Sequence, residues 1–119
     1  MPATFSPEAR IENGLRVLMC SGRNFVDVAK SLNVKISHGG LSEGLKKGFD
    51  RGTAEKLLEV LELMRSLQEA VGDAPVNWAR TERVVTALTI RKVAQVAAEM
   101  NDHGFDATAA SATKLVSGL

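Results

Sequence analysis

The chain has no tyrosine, one tryptophan and one cysteine, and aromatic residues fill only 4% of its 119 positions. A lone Cys20 excludes an internal disulfide; beside Met19 in an apolar stretch, it reads as a small core residue of a protein kept in a reducing compartment. The two histidines, His38 and His103, are distant in sequence, and Cys20 completes no ligand spacing with them, so no metal site is expected. No run of about 18 apolar residues is present, which argues against a membrane span, and the first residues lack the basic and apolar pattern of a signal peptide. A cytoplasmic location is therefore expected. Serine-elbow, Walker, HExxH and dinucleotide signatures are all missing, and the glycine-rich run from Ser37 to Gly44 lacks the lysine and strand context of a phosphate loop. Neither an enzyme nor a cofactor is expected.

What the chain does contain is 45% hydrophobic residues, dominated by Val, Leu and Ala, enough for one compact core with an appendage. No alternating strand pattern of useful length appears, so the expected class is all-α. Ser6-Pro7-Glu8 is a helix start, and Ile11, Leu15, Leu18 and Met19 form one stripe behind it, closed by Ser21-Gly22. Gly14 interrupts that stripe and marks a place for close helix packing. Phe49 to Gly52 read as a loop, after which Thr53 caps a helix to about Val71. Its apolar positions Leu57, Leu58, Val60, Leu61, Leu63, Met64 and Leu67 form a stripe wide enough for two surfaces. Gly72 to Pro75 is a break. Asn77 then caps a long helix from Trp78 to about Asn101, and Asp106 either caps a last short helix to Leu115 or belongs to a frayed tail.

The net charge of +1 is uninformative, but its distribution is not. Between Ser21 and Arg51, six bases (Arg23, Lys30, Lys35, Lys46, Lys47, Arg51) face three acids (Asp27, Glu43, Asp50), a net +3. Between Thr53 and Val71, two bases face four acids, a net −2. The excess positive charge falls where a phosphate-binding head would need it, although a solvated surface with uneven charge gives the same count.

Within that basic stretch, Asn24 is a natural N-cap, and Val28, Ala29 and Leu32 share one helical face. Asn33, which tolerates a left-handed backbone, sits where such a helix must end. Val34 and Ile36 return to the core. Ser37 caps a second helix whose Leu41 and Leu45 face inward while Ser42, Glu43, Lys46 and Lys47 face outward. Two short helices joined by a tight turn, one presenting polar and basic side chains, fit a helix-turn-helix DNA reader. On Val28, Ala29, Leu32, Asn33, Val34, Leu41 and Leu45, with Gly48 and the helix opening Thr53-Ala54-Glu55-Lys56-Leu57, the segment resembles the phage repressor and Cro (XRE-type) family over roughly residues 11 to 67. It departs from that pattern in carrying Asn33 where the family has glycine, and in a turn longer by about two residues around Gly39-Gly40.

The resemblance implies a lambda-repressor-like helix-turn-helix domain over residues 6–71, followed by a helical extension over 76–119 suited to oligomerisation. The implied function is a sequence-specific, dimeric transcriptional regulator acting by operator occupancy or polymerase contact. Its partners would be double-stranded DNA, a second copy docked through the Thr53–Val71 or Trp78–Asn101 helix or both, and RNA polymerase. Base-edge candidates are Ser37, His38, Ser42, Glu43 and Lys46; phosphate candidates are Arg23, Lys35, Lys47 and Arg51. Each is otherwise an ordinary solvated residue. Gly39-Gly40 either lets the backbone approach a phosphate or forms an irregular turn. The alternative function is a phage-type helical interaction protein, a DNA-packaging subunit or protein-binding inhibitor using the same fold.

Overall fold

The computed structural model describes residues 6–100 and 105–118 and contains six helices, with no strand among the described residues. They are α1 (Pro7–Val17), α2 (Gly22–Ser31), α3 (His38–Lys47), α4 (Arg51–Val71), α5 (Thr81–Met100) and α6 (Phe105–Ser117). The all-α class is as expected. Among the described residues, no helix is long and apolar enough to cross a membrane. The chain divides into two compact units, residues 1–62 and 63–119, so the division falls within α4.

In the first unit, α1 opens as its sequence requires. Ser6 Oγ accepts the Ala9 amide at 3.1 Å, Pro7 occupies the first turn, and Glu8 supplies an acid there. Ile11 and Leu15 face the core, and Gly14 lies against Leu61 of α4, three of whose side-chain atoms come within 3.0 Å of where a Cβ would stand. The helix ends on Met19, which takes the left-handed backbone (φ 55°) that lets the Cys20 amide bond the Leu15 carbonyl at 2.9 Å. Met19 itself stays 86% exposed. Cys20 is buried, and desolvation pushes its thiol up to about 12, so it behaves as an inert apolar filler. A longer-range tie joins the ends of this unit: Glu8 Oε2 accepts the Phe49 amide at 2.9 Å.

Three helix starts differ from the sequence expectation. Ser21, not Asn24, caps α2, its Oγ accepting the Asn24 amide at 3.1 Å; Ser21-Gly22 therefore opens a helix rather than closing one. Asp50, not Thr53, caps α4, with Oδ1 accepting the Thr53 amide at 3.1 Å, so Arg51 and Gly52 are helical. Asn77 closes a turn instead of capping α5: its side chain accepts the Ala79 amide at 3.2 Å and its carbonyl accepts the Arg80 amide at 3.1 Å, and the helix begins at Thr81. For α2 and α4 two capping residues stand three positions apart, and the earlier one caps in each.

The second unit comprises the end of α4, the connection to α5, and α5 with α6, which pack against each other. Gly72 ends α4 in the left-handed region (φ 68°), where glycine carries no Cβ penalty. Gln68 Nε2 donates to the carbonyls of Gly72 and Ala74 at 3.1 and 2.7 Å, fixing that connection. Val84, Ala87, Leu88 and Ala94 of α5 and Ala112 and Val116 of α6 are buried, and Arg83 Nη1 donates to the Gly118 carbonyl at 2.6 Å. The segment from Phe105 is helical to Ser117; residues 101–104, including His103, lie outside the described residues, as does the side chain of Asp106.

Candidate nucleic-acid interface

Phe25, Val26, Val28 and Ala29 are buried on the inner face of α2, while Arg23, Asp27 and Lys30 stay exposed. The helix then stops in a defined way. Asn33 adopts φ 66°, the Asn33 amide bonds the Lys30 carbonyl at 3.0 Å, and the Val34 amide bonds the Ala29 carbonyl at 2.8 Å. That paired closure is the Schellman arrangement, with asparagine at the position glycine most often fills. Residues 32–37 connect to α3, which begins at His38, so Gly39 and Gly40 belong to its first turn and not to the connection. Ser37 Oγ caps it by accepting the Gly40 amide at 2.9 Å.

The inner face of α3 is Leu41, 2% exposed, with Gly44 buried beside it and Leu45 only half-buried. Gly44 is buried because the Phe49 ring lies across the helix there; a Cβ would overlap that ring. Phe49 lies in the connection after α3, as its sequence predicts, whereas Leu45, predicted to face inward, is only partly covered. In the structure the aromatic ring folds back over α3 and takes part of the role assigned to Leu45.

The opposite side carries the candidates. His38, Ser42, Glu43, Lys46 and Lys47 are all exposed on α3, and Gly39 has nothing within 4 Å of where a Cβ would be. Turning each residue by about 100° along the helix places Gly39, Ser42, Glu43 and Lys46 opposite Leu41 and Gly44, with Lys47 and His38 at the margins. Ser37 is exposed too, but its hydroxyl oxygen is engaged as the cap.

The basic residues fall into two groups. Lys47 Nζ pairs with Glu43 Oε1 at 3.0 Å, and Arg51 Nε with Glu55 Oε1 at 3.2 Å, both exposed pairs one helical turn apart. Such pairs stabilise by only about 0.3–0.5 kcal/mol and open readily. Arg23, Lys35 and Lys46 are exposed and make no ion pair among the described residues. At the start of α3, Lys30, Lys35, Ile36 and Ser37 line an open depression of about 420 Å³. Lys30 was not among the sequence-derived candidates; a base in the last turn of α2, beside the connection to α3, was the available signal. The wall of this depression is mostly apolar. Nothing in the described residues groups three or more His, Cys, Asp or Glu as a metal site. Asp50 is held below the ordinary carboxylate range by its hydrogen bonds from the Thr53 hydroxyl and amide, a consequence of capping α4.

No family model, curated protein or solved structure matches the chain.

Proposed function

We propose that the chain is a sequence-specific DNA-binding transcriptional regulator of prokaryotic or phage type. In this reading α2, residues 32–37 and α3 form a helix-turn-helix head, and α3 enters the major groove. The observation that carries it is the two-sidedness of α3: Leu41 and Gly44 packed inward, and Ser42, Glu43 and Lys46 projecting from the opposite side. Ser42 and Lys46 would meet base edges, and Glu43 would accept from a cytosine amino group. His38 would reach an edge from the first turn. The bare backbone at Gly39 and Gly40 would permit close approach. Arg23, Lys35, Lys47, Arg51 and the added Lys30 would contact phosphates. The protein would work in the cytoplasm as a homodimer, by occupying an operator or contacting RNA polymerase, since two heads on a palindrome double the contacts of one.

The test is Lys46→Ala with Lys47→Ala, after selection of bound duplexes from a random pool. A loss of affinity is expected, with a salt slope shallower by roughly 1 to 2, and the helical content unchanged. An unaltered affinity would remove α3 from the interface. A protein-binding role is favoured by one observation, the pair Val17 and Met19, 70% and 86% exposed at the end of α1. Absence of duplex binding even at low salt would select that reading.

A further inference from the structure

The apolar residues of α5 lie on two opposite sides. Val84, Ala87, Leu88 and Ala94 are buried, whereas Val93 and Val96 are 57% and 49% exposed. With Thr86 and Thr89, also exposed, these two form a stripe with intervals of three, four and three residues, the spacing of a coiled-coil seam. The threonine hydroxyls are already satisfied: Thr86 Oγ1 donates to the Glu82 carbonyl at 2.9 Å and Thr89 Oγ1 to the Val85 carbonyl at 2.8 Å. The stripe therefore offers γ-methyl groups without a free hydroxyl proton. On α4, by contrast, the wide apolar stripe is consumed within the chain. Leu57, Val60, Leu61, Met64 and Leu67 are buried and Leu58 and Leu63 half-buried.

We propose that a second copy of this chain docks antiparallel along Thr86, Thr89, Val93 and Val96 of α5. The occupant and its direction are argued from charge. Lys92 and Glu99 are exposed on the same flank of this stripe. A two-fold axis passing between positions 94 and 95 sets Val93 against the partner's Val96, and Val96 against the partner's Val93. The same axis brings each flank against its own counterpart, so Lys92 faces the partner's Glu99 and Glu99 faces the partner's Lys92. These two begin about 3 Å apart along the axis, and the tilt of each side chain toward its own N-terminus closes that gap. A parallel pair would turn this flank toward the one carrying Arg83 and Ile90, where Lys92 meets no acid. The seam supplies the dimer contact of the DNA-binding reading, and its bearing on DNA rests on that reading; the contact itself is measured without DNA.

The experiment is sedimentation equilibrium of the full chain over about 5 to 500 µM, within the range where a short two-helix seam is expected to associate. Val93→Lys and Val96→Glu are each expected to weaken the dimer at least about tenfold, since each buries a charge against valine. Combining them is expected to restore it, because an antiparallel seam puts the new lysine against the partner's new glutamate. Lys92→Glu should weaken association, and adding Glu99→Lys should recover it. All substituted side chains are exposed, and circular dichroism of each variant confirms that the fold is kept. A monomer throughout, single variants that still dimerise, or a combined Val93→Lys, Val96→Glu variant that stays monomeric would each overturn the antiparallel seam. If the seam holds but no variant binds any duplex, the DNA reading alone fails.

Discussion

Gly44→Ala tests whether α3 is held by the Phe49 ring. In an unconstrained helix interior this substitution stabilises by about 1 kcal/mol, because alanine loses less backbone entropy and shields the helix better than glycine. Here the new Cβ would overlap the Phe49 ring, so either the ring or the helix must shift. Overpacking of this kind costs about 1–3 kcal/mol. Subtracting the propensity gain leaves a net loss of about 0–2 kcal/mol. Gly39→Ala is the control on the same helix, since nothing lies within 4 Å of its Cβ position; it should be neutral or stabilising by up to about 1 kcal/mol. The assay is urea unfolding followed by circular dichroism. In a double-mutant cycle with Phe49→Ala, the Gly44→Ala loss should vanish and the propensity gain emerge, giving a coupling of about 1–3 kcal/mol. If Gly44→Ala is as stable as Gly39→Ala, the ring does not hold the helix, and the inner face of α3 must be assigned differently.

Two further perturbations probe the helix ends. Met19→Gly should raise stability by about 1 kcal/mol in the same unfolding assay, because it removes a Cβ from a left-handed residue that buries almost nothing; no gain would mean that the Met19 side chain contributes contacts that exposure conceals. Asp50 supplies a pH dependence whose sign is fixed. Its folded pKa lies below the ordinary value of 3.8, so its contribution is present above that value and is lost as pH falls through the lower folded one. Asp50→Asn should therefore make stability decline less steeply below pH 3.8, as read from acid titration at fixed urea; an unchanged acid limb would show that the Thr53 bonds do not favour the ionised form.

Helix content and the polar face of α3 were legible because both are local. Ser6, Ser37 and Asn33 act through backbone groups within five residues, so their types alone indicate a cap or a stop. The outward set Ser42, Glu43, Lys46 and Lys47 followed from the inward place of Leu41 and the period of the helix. What stayed hidden depends on distant partners. Nothing near Gly44 in sequence says that an aromatic ring five residues on will lie across it, and nothing near Glu8 says that its carboxylate will hold the Phe49 amide. Gly14 was a partial exception: a glycine inside an apolar stripe implies close packing, but only the fold names Leu61 as the neighbour. The caps of α2 and α4 were misplaced because Ser21 competes with Asn24, and Asp50 with Thr53, and intrinsic preference does not separate them.

The Glu43–Lys47 pair bears directly on how α3 would read DNA in the proposed function. In the free protein the carboxylate and the ammonium group occupy each other at 3.0 Å, with side chains 66% and 76% exposed. Taken alone, this removes one candidate acceptor and one candidate phosphate contact. The pair is weak, however, and its two members would be released together. A cytosine amino group facing Glu43 would replace the lysine as its donor, and the freed Lys47, at the margin of the same helix, would turn to a phosphate. Opening an exposed pair costs only about 0.3–0.5 kcal/mol, against about 1–3 kcal/mol of discrimination from a well-placed base contact. A base that offers no donor to Glu43 would leave Lys47 to open the pair unaided, at that same small cost, with the carboxylate then unpaired against the duplex. Glu43 would thus bias, rather than gate, a contact that carries no sequence information of its own, so base identity at that one position would alter the strength of binding far more than its salt dependence.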